Sequence, residues 1–69
     1  MKYYRKTYNA FIAIEENRVI ASSRTAKDFA SSLYFVGRSA SWFSRKFSNN
    51  NTFVHLVGER VIYFHKVVI

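Results

Sequence analysis

Cysteine is missing from this chain of 69 residues, and glycine occurs only twice. Without cysteine the fold can contain neither a disulfide nor a thiolate metal site, which suits a reducing compartment such as the cytoplasm. Two glycines are also too few for a glycine-rich loop that cradles phosphate groups. Packing of apolar side chains must therefore stabilise the fold.

Acidic residues are scarce: four Asp and Glu stand against eleven Lys and Arg, giving a formal net charge of +7. Glu15 and Glu16 fall in one predicted turn and Glu59 in another, while Asp28 lies in the first turn of a predicted helix and complements its dipole. No acidic residue occurs between Asp28 and Glu59. The span between them carries unneutralised positive charge, which favours a polyanionic partner such as nucleic acid.

Residues that could perform catalysis or bind a metal are few. His55 and His65 lie on predicted strands of one hairpin and could face each other, but two histidines without a nearby carboxylate or thiolate make a poor metal site. The serines form no Gly-x-Ser-x-Gly nucleophile motif. We therefore expect a protein that is not an enzyme and has no catalytic residues, cofactor or metal.

Long apolar runs are absent as well, since the longest, Ala10 to Ile14, has five residues. A membrane helix needs about 20 apolar residues and a signal peptide about 7 to 15, so we expect a cytoplasmic protein without a membrane partner. Hydrophobic residues nevertheless make up 49% of the chain. This supply predicts a single domain over residues 1–69, in which the basic, tyrosine-rich residues 1–7 form either a flexible arm or a frayed strand.

Alternating and β-branched residues near both ends of the chain predict two β-hairpins. The first has strands at Tyr8 to Ile14 and Arg18 to Ser22, with Asn17 adopting a positive φ in the turn. The second runs from Phe53 to Ile69 with a Gly-X turn at Gly58. Its last strand is apolar on both faces, so it is either central in a sheet or covered by another chain, and a homodimer is one expectation.

Two short helices are predicted between the hairpins. Thr25, three residues ahead of Asp28, is typical of a helix N-cap, and Gly37 is a natural stop before a second helix that begins at Ser39. The tract Ser48 to Thr52 is predicted to be a loop. The fold class is therefore α+β, in the order hairpin, two helices arranged like a helix-turn-helix, hairpin.

The second predicted helix has one apolar and one basic side. At about 100° per residue, Phe43 and Phe47 share a side, and we expect them to meet Phe29 and Leu33 of the first helix in one core. The opposite side carries Ser41, Trp42, Arg45 and Lys46. This outer face is therefore cationic and aromatic.

Two stretches, VIASSRTAKDFA at residues 19–30 and GRSASWFSR at residues 37–45, resemble the helix pair of small helix-turn-helix proteins from Gram-positive bacteria and their phages. Those proteins also place two helices between β-hairpins. The resemblance implies DNA binding with the second helix in the major groove. Tyr34 stands where that family has glycine, Gly37 comes three residues late, and Arg38 replaces an apolar residue.

Together, these features predict a non-enzymatic protein of phage or mobile-element type that binds duplex DNA, as a transcriptional regulator or accessory factor. The residues expected to contact nucleic acid are Arg24, Lys27, Arg38, Ser39, Ser41, Trp42, Arg45, Lys46, Asn49 and Asn50. Two alternatives remain open. The same surface could dock on a host protein as an inhibitor, or Tyr63, Phe64 and the N-terminal tyrosines could stack on single-stranded nucleic acid.

Overall fold

A four-stranded antiparallel sheet carries the two helices on one of its faces. The computed structural model describes residues 9–68. Its elements are, in order, β1 (Asn9–Glu15), β2 (Arg18–Ser23), α1 (Ala26–Ser32), a 3-10 turn (Tyr34–Val36), α2 (Ala40–Asn49), β3 (Thr52–Val57) and β4 (Arg60–Val68). The predicted α+β class and the order of two strands, two helices and two strands are confirmed.

Both hairpins turn where the sequence predicted. Glu16 and Asn17 have φ values of 51° and 64°, and two positive φ values are the mark of the type I′ turn that matches strand twist. Gly58, with φ of 63°, opens the second turn. The expected first residue of β1, Tyr8, and the expected last residue of the second hairpin, Ile69, lie outside the described residues.

The strand order is β2-β1-β4-β3, so the two strands farthest apart in the chain form the centre of the sheet. Ala13 of β1 pairs with Phe64 of β4, and Phe64 pairs in turn with Phe53 of β3. The helices cover only the side of β4 that carries Ile62 and Phe64, whereas Val61, Tyr63 and Val67 on its other side are exposed. Of the two expectations for this strand, the central position is confirmed.

Side-chain caps set the start of each helix. The Thr25 hydroxyl accepts a hydrogen bond from the Asp28 amide at 3.1 Å, and the Ser39 hydroxyl accepts one from the Trp42 amide at 3.2 Å. Between the helices, the 3-10 turn ends at Gly37, which has φ of 73°. The late glycine therefore corresponds to a longer connection, and not to a longer first helix. Within residues 9–68, neither helix is long and apolar enough to cross a membrane.

The prediction that a loop begins at Ser48 is wrong, because α2 continues to Asn49. Side chains donate further hydrogen bonds to carbonyl groups near the end of α2, although the Lys46 carbonyl already accepts one from the Asn50 amide. The donors and their acceptor carbonyls are Ser48 to Ser44 at 2.8 Å, Asn49 to Arg45 at 3.5 Å, Asn50 to Lys46 at 3.2 Å and, from β4, Lys66 to Phe47 at 3.0 Å. Residues typical of loops thus serve here to end a helix.

Phenylalanine rings form the core between the helices and the sheet. The ring centre of Phe29 lies 5.2 Å from that of Phe43 and 5.9 Å from that of Phe64, with edge-to-face geometry in both pairs. Phe29, Leu33, Phe43 and Phe47 are all buried, together with Ile62 and Phe64 of β4. The predicted meeting of the two helices in one core is confirmed.

Replacing Phe43 with Ala should cost about 3 to 5 kcal/mol of unfolding free energy, because it empties a site that is fully buried. The neighbouring change, Trp42→Ala, should cost less because Trp42 is only half-buried. Urea denaturation followed by far-UV circular dichroism measures both. A larger loss for Trp42→Ala would contradict the assigned orientation of α2.

Truncation after Arg60 should leave an unfolded chain. It removes the residues that pair with both β1 and β3 and takes away Ile62 and Phe64 from the core. Thermal scans of the fragment, followed by circular dichroism, should show no cooperative transition. A sigmoidal melt would show that the sheet can form without its central strand.

Candidate nucleic-acid interface

The outer face of α2 consists of small hydroxyl side chains and one arginine. Ser41, Ser44, Arg45 and Ser48 are all exposed and recur at helical spacing. Burial of Phe43 and Phe47 on the opposite side fixes this orientation. The predicted outward positions of Ser41 and Arg45 are therefore observed, whereas Ser39 already uses its hydroxyl as the helix cap.

Trp42 lies on the flank of α2, and not on its outer face as predicted. Its ring centre is 5.0 Å from that of Phe43, 5.9 Å from that of Phe53 and 5.0 Å from that of His55. The last two residues belong to β3, which runs beside the helix. Because these rings cover part of the indole, Trp42 is half-buried and only the remainder can meet a ligand.

Two cations lie against the indole. The guanidinium carbon of Arg38 is 5.2 Å from the Trp42 ring centre, and the Lys46 ammonium is 5.6 Å from it. Both distances are within the range of cation–π attraction. We refer to Arg38, Trp42, Lys46 and His55 as the Trp42 cluster. It joins the loop before α2, the helix itself and β3 in one cationic surface.

His55 belongs to this cluster and was not predicted as a site residue. Burial lowers its pKa, and the positive charges of Arg38 and Lys46 lower it further. His55 faces the helices while His65, which pairs with Ile12, faces the other side of the sheet. The two histidines therefore do not face each other as the sequence suggested.

The other residues predicted to contact nucleic acid lie outside the outer face of α2 and the Trp42 cluster. Lys27 is exposed in the first turn of α1, and Arg24 is exposed in the connection just before this helix. Asn49 is the last residue of α2 and Asn50 follows as its cap, and the side chains of both donate to carbonyls of α2. Phe64 is fully buried, which removes it from any stacking surface for single strands.

Three of the four acidic residues lie at the end of the sheet where both hairpins turn, and Arg60 at this end packs on Phe35 of the 3-10 turn. Glu15, Glu16 and Glu59 all lie there, and Arg60 donates two hydrogen bonds to Glu15, at 2.6 and 2.7 Å. These bonds lower the pKa of Glu15. The fourth acidic residue, Asp28, lies in the first turn of α1. Within residues 9–68, no salt bridge joins any of these carboxylates to Arg45 or Lys46 of α2.

Replacing Lys46 with Ala should raise the pKa of His55 toward its ordinary value, because one of the two cations that lower it is lost. An NMR titration of the imidazole measures the change. Arg45→Ala is the matched control and should leave this pKa unchanged. An unchanged pKa in Lys46→Ala would place the ammonium away from the imidazole.

The lowered pKa of His55 also determines how the stability of the fold changes with pH. The unfolded chain binds the His55 proton first, at a pKa of about 6.5, so this group destabilises the fold only as the pH falls below that value. Lys46→Ala should weaken that pH dependence. Urea midpoints measured at descending pH would show it.

Comparisons with protein-family models, curated proteins and solved structures found no match to this chain. The candidate interface is therefore defined by its side chains alone: an outer helix face of serines and Arg45, flanked by the Trp42 cluster.

Proposed function

We propose that this protein binds duplex DNA, with no catalytic step, through the outer face of α2 and the Trp42 cluster. The observation that carries the proposal is the distribution of charge. The span from Phe29 to Gly58 contains no acidic residue, and it includes α2 and all four residues of the cluster. Uncompensated cations on one surface attract the phosphate backbone and release its condensed counterions.

The composition of the outer face of α2 suits contact with base edges. Serines at positions 41 and 44 are short and can donate or accept hydrogen bonds, so they allow a helix to approach the floor of the major groove. Arg45 lies between them and the C-terminal turn, and its planar guanidinium can donate two hydrogen bonds to one guanine. We assign base recognition to Arg45.

The cations around α2 suit contact with phosphates. Arg38 and Lys46 lie 5.2 and 5.6 Å from the Trp42 ring centre, so the exposed part of the indole can pack on a sugar next to two phosphate contacts. Arg24 and Lys27, at the start of α1, would extend the contact along the backbone. These four residues orient the protein, while Arg45 supplies the sequence preference.

We also propose that the helix pair acts as a helix-turn-helix and that the protein is a regulator or accessory factor of phage or mobile-element type. The support is the resemblance of residues 19–30 and 37–45, together with the flanking of the helix pair by hairpins. The connection from Leu33 to Ser39 is longer than in that family. The angle between the two helices can therefore differ from that of the family.

Lys46→Ala should weaken binding to all duplex sequences alike and reduce the log–log salt slope by about one, from a value of about −4 to −5 for four to six phosphate contacts. Arg45→Ala should also weaken the preference for one base pair. Its binding free energy for the preferred site should be less favourable by about 1 to 3 kcal/mol. Fluorescence anisotropy of labelled duplexes over a salt series measures both. Trp42, the only tryptophan, should report binding through its own emission.

Arg18→Ala is the control for these variants, because it removes the same charge at the acidic end of the sheet. It should leave the affinity nearly unchanged. A doubly substituted protein, Arg45→Ala with Lys46→Ala, that is folded and binds duplex DNA with undiminished affinity and slope would overturn the assignment of α2. Binding of neither duplex nor single strands at low salt would favour docking on a host protein instead.

A further inference from the structure

The side of the sheet that faces away from the helices is almost entirely apolar. We call it the outer sheet face, and its large side chains are Ile12, Ile14, Val19, Ile20, Val54, Leu56, Val61, Tyr63 and Val67. Val19, Ile14, Tyr63 and Val54 form one row across all four strands. The face therefore extends across the full width of the sheet.

A β-bulge enlarges this face on the edge strand β2. Ala13 pairs with Ala21 and Ile14 with Val19, which leaves Ile20 as the additional residue. Ile20 precedes the inward-facing Ala21, and Val19 pairs with the outward-facing Ile14. Both side chains consequently fall on the outer sheet face, where regular alternation would have turned one of them inward.

In the described part of the chain, the outer sheet face includes His65 but lacks the side chains that carry a fixed charge. Within residues 9–68 it includes no Lys, Arg, Asp or Glu, although the chain as a whole contains fifteen such residues. Seven of the nine large apolar side chains that are exposed in this part of the chain belong to it. Such a concentration of apolar surface marks a contact site.

The area of the face matches that of a protein interface. Its seven most open side chains leave between 37% and 63% of their surface exposed. Together they present on the order of 600 Å² of accessible surface. Two such faces in contact would bury about 1,200 Å², the lower limit for a specific and stable complex.

We propose that the outer sheet face binds the outer sheet face of a second copy of this chain. The face lacks charge to pair with a charged partner, and the surface that matches it in size and polarity is its own. Two sheets stacked about 10 Å apart would form the centre of a symmetric dimer, with the helices on its two outer sides.

This arrangement keeps the cations of the two copies apart. Arg38, Arg45 and Lys46 lie in the helical layer, so two sheets separate them from their counterparts in the partner. That separation exceeds the Debye length of about 8 Å at physiological salt, and the repulsion between two basic chains is therefore screened. The proposal is independent of DNA binding, because both copies of α2 remain exposed.

Sedimentation equilibrium of the full chain, without nucleic acid, tests the proposal over about 1 µM to 1 mM. We expect twice the mass of one chain at the upper concentrations. Leu56→Lys introduces a charge at a position that is 63% exposed on the edge strand β3, where the monomer can tolerate it. The Leu56→Lys substitution should raise the dissociation constant of the dimer by at least about tenfold, because each dimer would bury two unpaired ammonium groups.

Tyr34→Lys is the matched control, since it replaces an apolar residue that is 83% exposed outside the outer sheet face. It should dimerise like the natural chain. A natural chain that is monomeric up to the highest concentration, or a folded Leu56→Lys protein that dimerises undiminished, overturns the proposal. The melting temperature of the natural chain gives a second measurement and should rise with protein concentration.

Discussion

The packing of Phe29 against Phe43 and Phe64 is the contact on which the whole molecule depends, because it joins α1, α2 and the central strand β4. A chain of this size without cysteine has one core to stabilise it. The same rings also set the rotation of α2 about its axis. Serines and Arg45 are exposed because Phe43 and Phe47 are not, so the candidate interface follows directly from the core.

The parts of the fold that could be predicted are those determined by local chemistry. Thr25 and Ser39 cap their own helices, and Asn17 and Gly58 supply the positive φ of the turns. The end of α2 could not be predicted in this way, because asparagine and serine suit both loops and helix ends. The Lys66 ammonium, which binds the Phe47 carbonyl from 19 residues away, is part of what distinguishes them.

The candidate site was only partly predictable for a related reason. Helical spacing correctly separated Arg45 from the buried phenylalanines, but it placed Trp42 on the outer face. The position of Trp42 depends on which strand passes beside α2, and that in turn depends on the strand order. Once β3 lies on the outside of β4, Phe53 and His55 reach the indole. A single sequence does not show directly which strand lies beside α2.

The central pairing of β1 with β4 has a consequence for how the molecule assembles. Asn9 pairs with Val68, so the middle of the sheet requires closure of a loop that spans almost the entire chain. Such non-local pairing slows folding relative to a helical protein of the same size, because the loop must close before the strand contacts stabilise it. During synthesis β1 emerges early and waits for β4, with the backbone groups that pair with β4 open meanwhile. The helix pair and each hairpin can form locally, but the apolar strand β1 is exposed to other chains until the last strand arrives.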